Sequence, residues 1–505
     1  MAVAEKDLRK MFKSHTFHQL IQRELRKSNL SASSTEAGNY VDQLMWRMQK
    51  ALATGNISGF ANGTALQLQN LDSVMSSALF QEDQLIKQRF FEHVGSINAN
   101  YQWTRRNQYG TTRGVTGFVE GGIGPVGNAS WARNQQPVSF FGVQRGTTVI
   151  ANLAGALGGE FVDPVEEENY DGTLQLLSSV EHALSWGNAN VTDAGGNIIM
   201  YNGFYQGLMA QTPVGSKFPV NVIDLHGAPI TFDVISQISV LAAKQYVATA
   251  RDMAGFLTPD SMQTLQLLKS QAERRDLSNG EDGGFTAGTP IDGYNTNIGR
   301  LALYQDVFLQ PFDGGTQPLT TADSGSPAPF ALANTPSAAA AAPTGSQVSN
   351  WLTNDANTVY YTVSAFNAQG ESLGYTLAAG TVVAAGQVVT VTIPNVAGAY
   401  GYRVYRGLLS SGADANWIGD CPRTSTTNAT FVDDNRIMPG MDVAIFANKA
   451  PSNLAIAQMA PLIKLPLAIQ NTTIPFGLLY LHTLAIKIPE RQFMVINIGK
   501  TNYAA

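Results

Sequence analysis

The spacing of hydrophobic positions changes repeatedly along this chain, and each change marks a new element. Leu8, Met11, Phe12, His15, Leu20 and Leu25 fall roughly on one side of a helix that ends at Ser28 and Asn29. Residues 31–63, rich in Ser, Ala, Gly and Asn with a more apolar passage at 40–53, predict an extended arm carrying one short helix. Residues 66–94 turn helical and apolar. Residues 101–146 then carry Gly, Arg, Asn and Gln with few large apolar side chains. With Arg105, Arg106, Arg113, Arg133 and Arg145 among them they cannot make a core, and they predict a loop or ribbon whose partners lie elsewhere.

Asp171, Gly172 and Thr173 form a capping sequence for a helix with Leu174, Leu177, Val180, Glu181 and Leu184 at helical spacing. Gly187 stands where a left-handed cap would end it. A second helix is expected behind Thr231, with Ile235, Ile238, Leu241 and Ala242 on one face. A third begins at Thr258-Pro259, where proline suits the first helical position, and carries Met262, Leu265, Leu268 and Ala272. Residues 220–225 read as a short strand and 298–312 as strand, turn and strand, so the fold class is α+β. From Thr316 the texture becomes Pro, Ser, Ala and Gly, and the run Ala338 to Ala342 reads as linker. Four short β-branched or aromatic runs follow, at 359–366, 374–377, 388–393 and 400–405, with turn signals between them. They predict an all-β sandwich ending near Gly440. Long apolar strands return at 460–467 and 478–498, which makes the sandwich an insertion into the earlier domain.

Composition sharpens this picture. At 505 residues the chain predicts two or three domains, or one domain carrying a large insertion. Charged residues make up 14% of it, against roughly 25% in ordinary soluble proteins. An isolated monomer would have an unusually uncharged surface, so much of that surface is expected to be buried between subunits. A secreted β-rich adhesin also tolerates low charge. Against it, Glu5, Lys6, Asp7, Arg9, Lys10 and Lys13 leave no apolar run for a signal peptide, so synthesis in a cytosol is expected. No stretch reaches the ~18 apolar residues of a membrane span. The single Cys421 excludes an internal disulfide framework. The histidines, His15, His18, His93, His182, His226 and His482, are scattered, so neither a structural metal nor a cofactor is expected. The net charge is −6, yet the first thirty residues hold seven Lys or Arg against Glu5, Asp7 and Glu24. A solvated helix face is the better reading than a nucleic-acid contact, because only Phe12 and Phe17 lie near the basic residues as stacking platforms would.

The short motifs that suggest chemistry all lack the context they need. Gly122-Ile-Gly124-Pro-Val-Gly127 fits the dinucleotide fingerprint, but no buried strand precedes it and no apolar helix follows, so a loop is expected. Gly370-Glu-Ser372-Leu-Gly374 matches the nucleophile elbow, with His482 downstream as a conceivable base. Strands flank it on both sides where chemistry needs a strand-to-helix turn, so Ser372 reads as a structural hairpin residue. Glu166, Glu167 and Glu168 with Asp163 suit a hard cation poorly, because consecutive carboxylates diverge. Pairing with arginines of a neighbouring copy is the better expectation. Asn128-Ala-Ser130 and Asn428-Ala-Thr430 carry no glycosylation meaning without a secretory route. No catalytic, cofactor-binding or metal site is assigned, and the chain is not read as an enzyme.

Several passages, in this order and spacing over about residues 66–312, resemble the major capsid protein of tailed bacteriophages, whose fold is shared with herpesvirus floor domains and encapsulins. Residues 101–146 stand where that family has its extended loop, and Phe118-Val-Glu120-Gly121 and Val143-Gln-Arg145-Gly-Thr-Thr-Val149 resemble its two strands. Residues 171–188 resemble its spine helix. Tyr201-Asn-Gly203-Phe204, Val222-Ile-Asp224-Leu-His-Gly227 and residues 231–242 resemble the next segment, and Phe256-Leu-Thr-Pro259 to Arg275 the helix after it. Tyr361 to Ser372 and Tyr402-Arg-Val-Tyr405-Arg resemble an immunoglobulin-like or fibronectin type III module. The insertion point of this module and the basic segment before the arm depart from the family pattern.

The resemblance implies an N-terminal helix and arm (1–65), a peripheral domain (66–100 and 151–215) holding the spine helix, and an extended loop (101–150). It further implies an axial domain (216–317), the inserted sandwich (318–440), and a return to the axial and peripheral domains (441–505). It implies hexamers and pentamers of this chain forming an icosahedral shell around double-stranded DNA, assembled in the host bacterial cytoplasm and residing in the virion. Portal, scaffold and decoration proteins would be further partners, with non-specific DNA contacts on the inner face. An encapsulin-like compartment and a phage adhesin or fibre protein are the alternatives.

Overall fold

A computed structural model describes residues 82–110, 117–124, 127–150, 152, 164–193, 195–268, 291–312, 315–331, 334–424, 428–468 and 472–500. These fall within Ser77–Ala505, one of two units into which the chain divides. The other unit, Met1–Ser76, lies outside the described residues, and with it the N-terminal helix, the arm and the start of the 66–94 passage. In chain order the elements are α1 (Ile86–Phe90), β1 (His93–Gly95), β2 (Asn100–Gln108), β3 (Ser130–Pro137), β4 (Ser139–Thr148), α2 (Pro164–Trp186), α3 (Phe204–Met209), β5 (Val222–Asp224), α4 (Phe232–Lys244), β6 (Met253–Leu257), α5 (Pro259–Leu267), β7 (Gly293–Thr296) and β8 (Gly299–Gln305). There follow β9 (Ser337–Ala341), β10 (Asn357–Phe366), β11 (Tyr375–Thr376), β12 (Thr381–Val383), β13 (Val388–Ile393), β14 (Gly401–Gly407), β15 (Asn416–Pro422), β16 (Ala429–Asp433), β17 (Asp442–Asn448), β18 (Leu454–Pro466), β19 (Thr473–Ile486) and β20 (Phe493–Ile498). The fold is mixed α+β.

The 23-residue helix α2 lies on a four-stranded sheet ordered β1-β18-β19-β4. Leu176, Val180 and Leu184 on its inner face share one core with Ile456, Leu478 and Leu484 of the sheet. The helix starts at Pro164, two turns before the expected Asp171, because proline is favoured in a first turn and Glu166 and Glu167 there suit the positive end of the helix dipole. Gly172 therefore serves packing and not a cap: a Cβ on it would come within 2.9 Å of Leu478 Cδ1 and 3.0 Å of Arg145 Cγ. Gly187 is not left-handed either. A Cβ there would lie 2.5 Å from the Tyr201 carbonyl oxygen, so glycine is required for the close pass of the 201–203 segment, whose Gly203 N–H donates to the Gly187 carbonyl at 2.8 Å.

The six-stranded sheet β5-β20-β17-β6-β8-β7 is covered on both faces over its strands β20, β17 and β6. Phe256, Ile445 and Met494 point into the α2 core. Leu257, Phe446 and Val495 point the other way, against Ile235 and Ile238 of α4 and Leu265 of α5. All residues of β6, β17 and β20 are buried, as expected for strands covered on both sides. Helix α5 is capped as its sequence predicts, with Thr258 Oγ1 accepting from the Ser261 N–H and Pro259 in the first turn; beyond Leu268, the expected continuation to Ala272 lies outside the described residues. The 298–312 passage is not strand, turn and strand. Its hairpin is β7–β8, and Val307–Leu309 forms a 3-10 turn because the Asp306 side chain accepts from the Phe308 N–H. The 478–498 run is two strands, β19 and β20, broken by a 3-10 turn that begins at Pro489.

Between β8 and β17, two sheets, β11-β10-β14-β15 with β12 on β10, and β16-β13-β9, enclose a core that includes Tyr361, Val363, Tyr402, Val389, Val391 and Ile393. The Ala338–Ala342 run is not linker: Ser337–Ala341 is an edge strand paired with β13, and Ala338 and Ala340 turn inward. Alanine has weak β-propensity, so the pairing comes from β13 and not from local preference. Residues 101–146 are likewise not one loop. The strands β2 and β3 pair only with each other, whereas β4 joins β19 over its whole length from Ser139↔His482 to Thr148↔Thr473.

Candidate assembly surfaces

The β2–β3 ribbon is a two-stranded element without a core of its own. No residue of either strand is fully buried, and an isolated two-stranded ribbon is marginally stable in water at best. Its base is held: Arg105 Nη2 donates to Glu490 Oε1 at 2.5 Å, and Lys487 lies over the Tyr101 ring at 5.8 Å. Its outer part is not. Arg106 stacks over Trp131 at 4.3 Å and Tyr109 at 5.0 Å. Tyr109 and Ile123 are 84% and 94% exposed, and Phe118, Val119 and Trp131 are exposed with them. Clustered exposed aromatic and aliphatic side chains of this kind mark an interaction surface.

A second apolar surface lies at the far end of the β18–β19 hairpin and on the outer face of β4. Leu462, Leu465, Leu467 and Ile474 are exposed toward that end, and Met459 and Phe140 are exposed farther back, at the level where Ala460 and Phe140 both pair with Leu481. Pro461 sits where the β18–β19 register shifts, between Ala460 and Ile463, which is where a proline is tolerated in a strand.

A charged cluster fastens α1 to α2. Lys87 Nζ donates to Ser185 Oγ at 2.9 Å and to the Phe308 carbonyl at 3.2 Å, 3.0 Å from Asp306 Oδ2 and 3.5 Å from Glu181 Oε2. All three charged side chains are fully buried. Burial pushes the Glu181 carboxyl up to about 7, against the lowering effect of Lys87. In the adjoining sheet, His482 is stacked on Tyr480 at 4.3 Å and hydrogen-bonded through Nε2 to the Tyr201 hydroxyl at 3.0 Å. Burial holds it down at about 3, a neutral imidazole. These are fastenings and not reaction centres.

The two-sheet module is fixed to the body, not hung from it. His226 Nε2 meets Asp355 Oδ2 at 2.7 Å, Asn350 Nδ2 donates to Asp224 Oδ2 at 2.8 Å, and Asn497 Nδ2 donates to the Arg436 carbonyl at 2.9 Å. Trp417 packs edge-on against Trp186 at 5.0 Å and Phe312 at 5.9 Å.

The residues singled out in the sequence are scattered. Ser372 is fully buried, with its Oγ accepting from the Ala365 N–H at 3.0 Å and donating to the Leu373 carbonyl; it sits between β10 and β11, whereas His482 belongs to β19 of another sheet, so no nucleophile and base meet. Gly122 follows a turn closed by its N–H on the Val119 carbonyl, and the expected loop carries no helix among its described residues. Glu168 pairs with Arg145 of the same chain at 3.4 Å, because β4 passes beside the first turns of α2; Asp163 lies outside the described residues. Cys421 is buried and free, its thiol pushed up to about 12 by burial. Among the described residues no group of three His, Cys, Asp or Glu could hold a metal ion, and no helix is long and apolar enough to cross a membrane. The buried Lys87 cluster and the His226–Asp355 contact were not foreseen. Their residues are far apart in sequence, and the one local signal was a lysine inside an apolar helical turn.

No family model matches the chain, and no curated protein matches it in sequence. Similar solved structures include the capsid of the native GTA particle, at 9% identity over 87% of this chain and 98% of that one with a TM-score of 0.41. A structure of Gordonia phage Cozz is similar at 10% identity over 88% of this chain and 96% of that one, TM-score 0.40. The holo-SrpI encapsulin complex from Synechococcus elongatus PCC 7942 is similar at 6% identity over 86% and 94%, TM-score 0.38.

Proposed function

We propose that this chain is a shell-forming capsid protein: a structural tile, not an enzyme, that packs against copies of itself. In its finer form the proposal is a tailed-bacteriophage major capsid protein. Hexamers and pentamers of it would form an icosahedral virion shell around double-stranded DNA, with portal, scaffold and decoration proteins as further partners. The observation that carries it is the β2–β3 ribbon, a coreless element with an exposed aromatic and aliphatic outer part. Such a ribbon gains stability by lying across another subunit, and the exposed end of the β18–β19 hairpin offers a second contact of the same kind. Low overall charge fits a surface largely covered by neighbours. In this reading the two-sheet module is an immunoglobulin-like insertion at residues 318–440, fixed to its own subunit through Asp355 and Trp417.

The test is to replace residues 109–129 with a short turn, which removes the outer ribbon and spares β4, whose ladder with β19 a cut extending to Gly142 would break. The shortened chain should stay folded and soluble yet form no closed particles. Shells indistinguishable from those of the intact chain would contradict the proposal.

A further inference from the structure

The body and the two-sheet module meet around a small cleft of about 200 Å3, open to solvent. One wall is the end of α2, the segment after it and α3; the other is β15, β16 and the residues that follow.

The polar groups on the body side are left over from folding. Tyr205 is 9% exposed, yet among the described residues its hydroxyl takes part in no hydrogen bond. Asn188, 6% exposed, spends its Oδ1 on the Asn190 N–H at 3.0 Å and leaves Nδ2 without a partner. The Gln206 amide has none either. Gln206 is half-buried, but Tyr205 and Asn188 are nearly buried, and buried polar groups are normally satisfied, so two such groups lining one open cleft are a sign of a ligand or of solvent held in its place. The aromatic residues present apolar surface, because both indole N–H groups are engaged: Trp186 Nε1 donates to the Leu309 carbonyl and Trp417 Nε1 to Asp420 Oδ1, each at 2.8 Å.

Charge decides the class of ligand. Asp434 is paired with Arg436 at 3.0 Å and Asp433 with Arg406 at 2.5 Å, while Asp420 lies in the field of Arg403. Each carboxylate thus has a guanidinium, so the cleft has no unmet call for a cation, and three carboxylates disfavour an anion. What is left is apolar aromatic surface beside unspent donors and acceptors in both directions. That set matches a ring with a C–H face and a rim of hydroxyl groups.

We propose that this cleft binds a neutral saccharide unit, with Tyr205, Asn188 and Gln206 hydrogen-bonding its hydroxyl groups and the indoles covering its apolar face. The inference stands apart from shell formation, since every residue in it belongs to one chain.

The test titrates the full chain with glucose, galactose, mannose and N-acetylglucosamine, following fluorescence of the tryptophans, with arginine hydrochloride and sodium phosphate as charged controls. At least one sugar should give a saturable change with a dissociation constant on the order of 1–10 mM. Tyr205→Phe removes a hydroxyl that folding does not use, so it should unfold at the same temperature and bind about fivefold more weakly, as should Gln206→Ala. No saturation by any of the four sugars up to roughly 100 mM, equal affinity in both variants, or tighter binding of arginine or phosphate than of every sugar would each overturn it.

Discussion

Lys87 Nζ and Asp306 Oδ2 lie 3.0 Å apart with both side chains fully buried, so a single cation ties the short helix α1 to the turn after β8 and, through Glu181, to α2. Removing it leaves two carboxylates facing each other in the interior. Lys87→Met should cost about 3–5 kcal/mol, the usual result of breaking a buried ion pair from one side. Urea unfolding of the two chains measures this, and a loss under 1 kcal/mol would show the cluster to be incidental.

The same cluster makes stability depend on pH. Glu181 is raised in the folded chain from 4.5 to about 7, so the folded state holds its proton more tightly than the unfolded state. Its contribution is greatest below pH 4.5 and declines as pH rises from 4.5 to about 7. Glu181→Gln should flatten this slope; unfolding free energies across that window that fall equally in both chains would contradict the assignment.

His482 acts in the opposite direction. Its folded value is depressed from 6.5 to about 3, so its contribution is present above 6.5 and is lost as pH falls toward about 3. His482→Phe, which keeps the stack on Tyr480 but leaves the Tyr201 hydroxyl unpaired, should be less stable at pH 7 and show a shallower acid decline. Between 4.5 and 6.5 the two groups oppose each other, and only the separate variants reveal either slope.

The close pass at the end of α2 gives a fourth test. A methyl group on Gly187 would collide with the carbonyl oxygens of Tyr201 at 2.5 Å and Ala183 at 2.6 Å, and neither belongs to a side chain that can swing away. Gly187→Ala should destabilise by about 1–3 kcal/mol or more, read as a lowered midpoint in thermal unfolding. An unchanged midpoint would mean that the 201–203 segment moves freely.

What could be read from the sequence was what local chemistry controls. The Thr258-Pro259 start of α5 and the runs that became β10, β13 and β14 carry their own caps, turns and period. Where a distant partner decides, local reading failed. Ala338–Ala342 has linker composition and is a strand because β13 lies beside it. Asp171 looks like a cap but lies inside a helix whose first turns carry the acidic residues that favour them. Residues 139–148 look like the rest of the polar ribbon and belong to a sheet because β19 reaches them. The cleft joins residues of α2 and α3 to residues of β15 and β16, and no spacing along the chain brings these together.

On the proposed reading, the exposed ribbon and hairpin end are covered by further copies of this chain. Electron microscopy of the purified full-length protein tests it most directly. Rings of five or six subunits, or closed polyhedral shells, are the predicted result; a small discrete oligomer with no rings or shells at any protein concentration would contradict it.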